Sequence, residues 1–150
     1  MAVQDFALEA FLPYRLSLLS NTVSEGIAAT YRDEHGLSVT EWRVIAILGR
    51  FPGVTATDVM ARAAMDKVAV SRAVSRLVDK SLVQRNENAQ DRRRVGLRLT
   101  RRGVRTFNAV VPKAHAYEQR LLAELSAEER ATLNHLIDTL QARARGLDAE

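Results

Sequence analysis

Apolar residues recur along this chain in two rhythms. Leu8, Leu12, Leu16, Leu19, Val23, Ile27 and Tyr31 follow at spacings of three and four, which predicts one long amphipathic helix with its apolar stripe on a single face. Pro13 falls inside that stretch. The helix either bends there or begins its regular part there, with proline in the first turn where the missing N–H does no harm. "RDEHGLS" at 32 to 38 is a break, after which Ser38 and Glu41 form a capping box for a second helix through Trp42, Ile45 and Leu48. "FPG" at 51 to 53 stops it. Thr55 with Asp58 repeats the cap for a short third helix, running to about Ala63. Asp66 caps a fourth, whose apolar set is Val70, Ala73, Val74, Leu77 and Val78 and whose opposite face carries Val68, Ser71, Arg72, Ser75, Arg76 and Asp79.

The rhythm then shortens to two. "LVQR" at 82 to 85, a polar segment, and Val95, Leu97 and Leu99 in strict alternation predict a β-hairpin with a long tip. Thr100 caps a further helix with Val104, Phe107, Val111, Ala114, Leu121 and Leu125 in phase, kinked at Pro112. Ser126 and Glu129 open a last helix through Leu133, Leu136, Ile137 and Leu140. The expected fold is mainly α with a small β-hairpin. Residues 38–100 read as a compact lobe, and 1–37 plus 101–150 as a helical lobe whose apolar faces have no other partner in the chain. A second copy would cover them, so the helical lobe is expected to dimerise.

At 150 residues the chain has the size of one domain. Its 47% hydrophobic and 27% charged residues are a globular composition. The absence of cysteine removes disulfides, thiolate metal sites and thiol redox sensing, and suits a reducing cytosol. No run of about 18 apolar residues occurs, and acidic Asp5 and Glu9 stand near the amino terminus in place of a basic export signal. A cytoplasmic protein with no membrane partner is the expectation. Charge is concentrated: from Arg62 to Arg105 there are 13 Lys and Arg against 4 Asp and Glu, a surplus of nine within a chain whose net charge is +4. A basic middle between mildly acidic ends is the footprint of a polyanion-binding surface; a solvated, salt-bridged face is the plainer alternative.

Two short helices joined by "RAAMD", the second with an apolar back and a Ser/Arg front, have the layout of a helix-turn-helix, and a hairpin directly after makes it winged. A helix about 10 Å wide fits the major groove, where only front-face side chains reach base edges. Lys67, Val68, Ser71, Arg72, Ser75 and Arg76 are therefore the candidate DNA contacts of the helix. Arg72 and Arg76 can fork onto guanine or phosphate, while Val68 either touches a thymine methyl or is an isolated exposed valine. At the hairpin tip stand Asp91, Arg92, Arg93 and Arg94. Alternate strand residues face opposite sides, which assigns Arg93 to the minor groove, Arg92 to a phosphate or to Asp91, and Arg94 to the hairpin base or the flanking backbone.

"LSVTEWRVIAIL", "MDKVAVSRAVSRLVDKSLVQR" and "DRRRVGLRLTRRG", in that order and spacing, resemble the MarR-type multiple-antibiotic-resistance regulators over nearly the whole chain. The resemblance implies a homodimeric winged-helix repressor that leaves a pseudo-palindromic operator when a small ligand, often an aromatic acid, binds between the dimerisation and DNA-binding lobes. One departure is Ser81, where the family usually places glycine. A left-handed serine there would cost roughly 1 kcal/mol, which predicts a differently shaped helix end. For the effector, an aromatic carboxylate or its thioester, the candidates are Arg15, Tyr31, His35, Trp42 and Arg43. Arg15, beside the Leu12/Leu16/Leu19 stripe, needs a carboxylate, and either an internal Asp or Glu or an acidic ligand would supply it. Trp42 fits core packing as well as ligand contact.

No catalytic set can be assembled from scattered His35, His115 and His135, and neither HExxH, GxSxG nor a glycine-rich phosphate loop occurs. No enzyme activity, cofactor or metal is therefore expected, although His115/Glu118 and His135/Asp138 have the spacing of ligand pairs on a helix face. A ligand-independent architectural DNA-binding protein is the alternative function. It would show weak sequence preference and no pocket.

Overall fold

The computed structural model describes every residue except Asn88, Ala89, Arg92 and Glu150. A 3-10 turn at Leu8–Ala10 leads into α1 (Leu12–Ala28), where Pro13 occupies the first turn. No carbonyl there loses a partner to the missing N–H, so the proline starts the helix and does not bend it. Tyr31 lies past the end of α1. The break at 32 to 38 holds one helical turn, α2 (Arg32–His35), closed by Gly36 with φ 62.

At the start of α3 (Val39–Arg50) only half of the expected capping box forms. Ser38 Oγ accepts the Glu41 N–H at 3.1 Å, but the Glu41 carboxylate turns inward and is the buried charge of the core, 3% exposed. It accepts from Ser38 Oγ at 3.2 Å and from Lys80 Nζ at 2.5 Å, while the same ammonium donates to the Gly36 carbonyl at 2.7 Å. In α4 (Ala56–Ala63) the box between Thr55 and Asp58 is complete. Asp66 Oδ1 then accepts the Ala69 N–H at 2.8 Å to start α5 (Lys67–Asp79).

The end of α5 overturns the expectation raised by Ser81. That residue is left-handed, φ 59, and the Leu82 N–H bonds the Leu77 carbonyl while the Ser81 N–H bonds that of Val78, both at 2.9 Å. These are the two bonds of a Schellman end. Serine tolerates the position because the turn is held from outside: Thr100 Oγ1 donates to the Ser81 carbonyl at 2.7 Å and Leu82 is buried. A bond and a buried leucine offset a backbone cost of about 1 kcal/mol.

Strands β1 (Val83–Glu87) and β2 (Val95–Leu99) pair antiparallel, with Val83 opposite Leu99 and Arg85 opposite Leu97. The α3–α4 link adds to the outer edge of β2 through Gly53 N–H to Leu97 O and Leu97 N–H to Val54 O, both 2.8 Å. Val44, Ile45, Leu48, Val59, Val70, Val74, Leu77, Val83 and Leu97 close one core with Tyr31 and Val110. This core carries the α4–α5 pair and the hairpin.

Helix α6 (Arg101–Leu121) begins as expected, Thr100 Oγ1 accepting the Gly103 N–H at 3.0 Å. Its buried side is Gly103 and Val110 with half-buried Phe107, Val111 and Ala114, whereas Val104 is 44% exposed. The first turn departs from the expected face because Gly103 lies against the chain at Leu82: a Cβ there would sit 2.1 Å from the Leu82 carbonyl oxygen. Leu125 falls in the turn after α6.

Two compact units result, Met1–Ala114 and His115–Glu150. In the first, Leu12, Leu16, Leu18 and Leu19 of α1 are exposed. In the second, α7 (Ala127–Asp148) opens with the complete Ser126/Glu129 box, Arg130 donates to the Leu122 carbonyl at 2.7 Å, and Leu133, Leu136, Ile137 and Leu140 are exposed. Among the described residues no helix is long and apolar enough to cross a membrane.

Candidate nucleic-acid interface

The turn between α4 and α5 is short because Ala64 takes a left-handed conformation, φ 51, and Asp66 caps the next helix at once. Helix α5 then buries Val70, Ala73, Val74 and Leu77, and this fixes its rotation. Lys67, Val68, Ser71, Arg72, Ser75 and Arg76 are all left on the solvent side. Among the described residues none of the four cations Lys67, Arg72, Arg76 and Arg93 is held in an ion pair. Their charge is uncompensated, as a phosphate-facing surface requires.

Arg85 was not among the expected contacts. Strand parity puts it on the face of the hairpin that also carries Leu97, toward α5, and its Nη2 lies 3.5 Å from Ser75 Oγ. With Lys67 and Ser71 it edges a groove of about 480 Å³ whose walls are Met60, Val70, Val74, Val95 and Leu97. The signal was present in the alternation Val83, Arg85 against Leu97, Leu99, but it needs the register of the hairpin, which the long tip leaves open.

At the tip, Asp91 serves the backbone. Its Oδ1 accepts the Arg93 N–H and its carbonyl the Arg94 N–H, each at 3.0 Å, so the carboxylate shapes the turn that presents Arg93. Arg92 lies outside the described residues. Arg94 returns along the hairpin and lines a pocket with Gly53, Thr55, Asp58, Asn86, Gly96 and Arg98.

Of the five effector candidates, the structure gathers three. Tyr31, Trp42 and Arg43 line a cavity of about 170 Å³ with Ser24, Ile27, Val39 and Ala46. The Tyr31 and Trp42 rings meet at 5.7 Å, and Trp42 meets Phe107 at 6.2 Å, so Trp42 packs on the core and faces the cavity together. Burial pushes the Tyr31 phenol above its ordinary value, against the lowering pull of Arg32 and Arg43; the hydroxyl stays a donor. His35 is not in the lining: its Nε2 is buried without a hydrogen-bond partner, 3.9 Å from a Glu34 oxygen. Arg15 lines a different groove, on α1 with Glu9, Tyr14, Leu18, Leu19 and Thr22.

A helix with a buried back and a cationic front, set at a tight turn behind a capped helix and ahead of a basic hairpin, is a winged helix-turn-helix, and the class so defined is that of DNA-binding transcription regulators. Residues 35–94 match the model of the MarR family. The homoprotocatechuate degradative operon repressor of Escherichia coli is 25% identical over 104 residues, 69% of this chain and 70% of that protein. A MarR/EmrR family regulator from Acinetobacter sp. ADP1 has the same fold with TM-score 0.87 at 24% identity, over 94% of this chain and 99% of that one. The PcaV transcriptional regulator from Streptomyces coelicolor, solved with its natural ligand, gives 0.79 at 26% identity over 96% and 99%.

Proposed function

We propose that the chain is a cytoplasmic homodimeric repressor that reads a pseudo-palindromic operator and releases it when an aromatic acid, or its thioester, enters the Tyr31/Trp42/Arg43 cavity. The observation that carries the reading is the uncompensated Lys67/Arg72/Arg76 front of α5, held in place by its own buried back. With α5 in the major groove, Arg72 and Arg76 reach base edges or phosphates, Ser71 and Ser75 donate to either, and Val68, 56% exposed, meets a thymine methyl. Asp91 holds the turn and Arg93 enters the adjacent minor groove, where two flanking phosphate rows deepen the negative potential. Arg92 is assigned to a phosphate or to Asp91.

Dimerisation is supported by the exposed leucines of α1 and by Leu133, Leu136, Ile137 and Leu140 of α7, apolar surface that water would otherwise cover. The effector class is supported by the two aromatic walls, whose rings are tilted by 37°, and by half-buried Arg43 at the cavity, which suits a planar acid. The name of the Escherichia coli relative, a degradative operon repressor, supports repression as the sign. In this reading Arg43 takes the carboxylate at the cavity, and Arg15 and His35 join the site only from outside its lining.

The test is selection of duplexes from a random pool, followed by titration of the enriched duplex with a panel of hydroxybenzoates, hydroxycinnamates and their coenzyme A thioesters. A palindromic consensus, a two-subunit complex in sedimentation and release by an aromatic acid are the expected results. Arg93→Ala should weaken binding by about 1–3 kcal/mol and lower the salt slope, and Arg43→Ala should keep DNA binding while losing release. A monomer with no sequence preference would sink the proposal.

A further inference from the structure

The hairpin has two faces, and the interface described so far uses one. Arg85 and Leu97, paired across the strands, look toward α5. Gln84 with Arg98, and Asn86 with Gly96, are the alternate pairs and so face the other way. On that outer face Arg94, Asn86 and Arg98 line a pocket of about 270 Å³ floored by the α3–α4 link at Gly53 and by Asp58. Gly53 permits this arrangement. Its φ of +89 is a glycine conformation, and a Cβ there would stand 3.0 Å from Arg98 Nη2, displacing the guanidinium.

Arg94 and Arg98 are both exposed, and among the described residues neither is in an ion pair. The carboxylate in the pocket, Asp58, accepts the Thr55 N–H and the Thr55 hydroxyl at Oδ2, each at 3.0 Å, and feels the charges of Arg62 and Arg94. Arg62, one turn further along α4, adds charge beside it and stacks on the Phe51 ring at 3.8 Å. Two guanidiniums and an amide thus line a cleft in which Arg94, Arg98 and nearby Arg62 outnumber the Asp58 carboxylate, on the same hairpin whose tip carries Arg93.

From this we infer that the outer face of the wing is a phosphate-binding surface for duplex backbone, in which Arg94 and Arg98 hold the strand on the far side of the minor groove. The inference rests on the proposed reading of α5 and Arg93. A minor groove is bordered by two strands. When the wing tip lies in it, the strand between wing and α5 meets the Arg85 face, and the other strand passes the Arg94/Arg98 face. The pocket is continuous with the tip and carries the complementary charge. It extends the footprint outward past the base pairs that α5 and Arg93 read, without adding base specificity.

The test compares two duplexes, the full length enriched from a random pool by the wild-type protein and the same duplex trimmed at both ends to the base pairs inside the wing tips. Arg98→Ala and Arg94→Ala should each bind the full duplex about tenfold more weakly, with the salt slope lower by about two for a dimer that loses one phosphate contact per subunit. On the trimmed duplex both should match the wild type, and Arg98→Lys should restore part of the loss. Equal weakening on both duplexes would mean that Arg98 acts through the shape of the wing, and no weakening on either, even with inorganic phosphate protecting the wild type from unfolding, would mean a small-anion site; either result overturns the inference. Arg72→Ala, weakened on both duplexes, keeps the α5 reading separate. A wild type that enriches no duplex overturns that reading and the inference with it.

Discussion

Lys80→Met tests the join between the recognition helix and the rest of the core. Lys80 is the C-cap residue of α5, and its ammonium ties the buried Glu41 carboxylate of α3 and the Gly36 carbonyl to the end of that helix. Methionine keeps the length of the stem and removes the charge. The Glu41 side chain is 4% exposed, so its carboxylate would be left with the Ser38 hydroxyl alone. Removing one partner of a fully buried pair costs about 3–5 kcal/mol. Lys80, at 37%, is exposed enough for water to take the place of the ammonium, and that screening reduces the expected loss to about 2 kcal/mol. Glu41→Gln keeps an oxygen for the Lys80 ammonium, turns its NH2 to the Ser38 hydroxyl, which can accept, and buries no charge, so it should cost less, about 1 kcal/mol. Urea unfolding at fixed protein concentration measures both. With a slope of about 2 kcal/mol/M, Lys80→Met should lower the midpoint by about 1 M, and the double variant should lose less than the sum of the singles. An unchanged midpoint for Lys80→Met, or a larger loss for Glu41→Gln, would refute the argument that the ammonium compensates a buried charge.

Ser81→Gly removes the Cβ penalty at φ 59 and should raise stability by about 0.5–1 kcal/mol, read as a higher urea midpoint with DNA affinity unchanged. Gly103→Ala should destabilise by about 3 kcal/mol, because its Cβ meets the Leu82 backbone oxygen at 2.1 Å; Gly49→Ala, whose Cβ meets the movable Phe107 ring, should cost less in the same measurement. Glu129 is held below the usual carboxylate range by the Ser126 N–H, Asp58 by that of Thr55, and Glu34 by the Lys113 ammonium. Folded values below unfolded ones add stability that is complete above the unfolded carboxylate range and is lost as pH falls through the folded values. Stability should therefore fall on acidification, and a midpoint-versus-pH series for Glu129→Gln should be flatter than for the wild type.

Short-range chemistry made much of this protein legible before any coordinates. A cap joins residues three apart, and the Thr55/Asp58, Asp66 and Ser126/Glu129 caps stand where the spacing put them. The front of α5 follows from its back, since burying Val70, Ala73, Val74 and Leu77 leaves the arginines no other side. Where tertiary contacts compete with a local pattern, the pattern lost. Glu41 left its capping box for an ammonium 39 residues away, the first turn of α6 buried Gly103 against the Leu82 carbonyl in place of Val104, and Ser81 accepted a left-handed backbone because Thr100 and Leu82 hold the turn. Strand parity needs a register, and only the pairing of Arg85 with Leu97 separates the α5-facing side of the wing from the side bearing Arg98. The Tyr31/Trp42/Arg43 cavity likewise joins the chain after α1 to α3. Helical and strand periods encode which side of an element is apolar; which element meets that side, and what polar group it brings, is decided by packing over distances that no local period records.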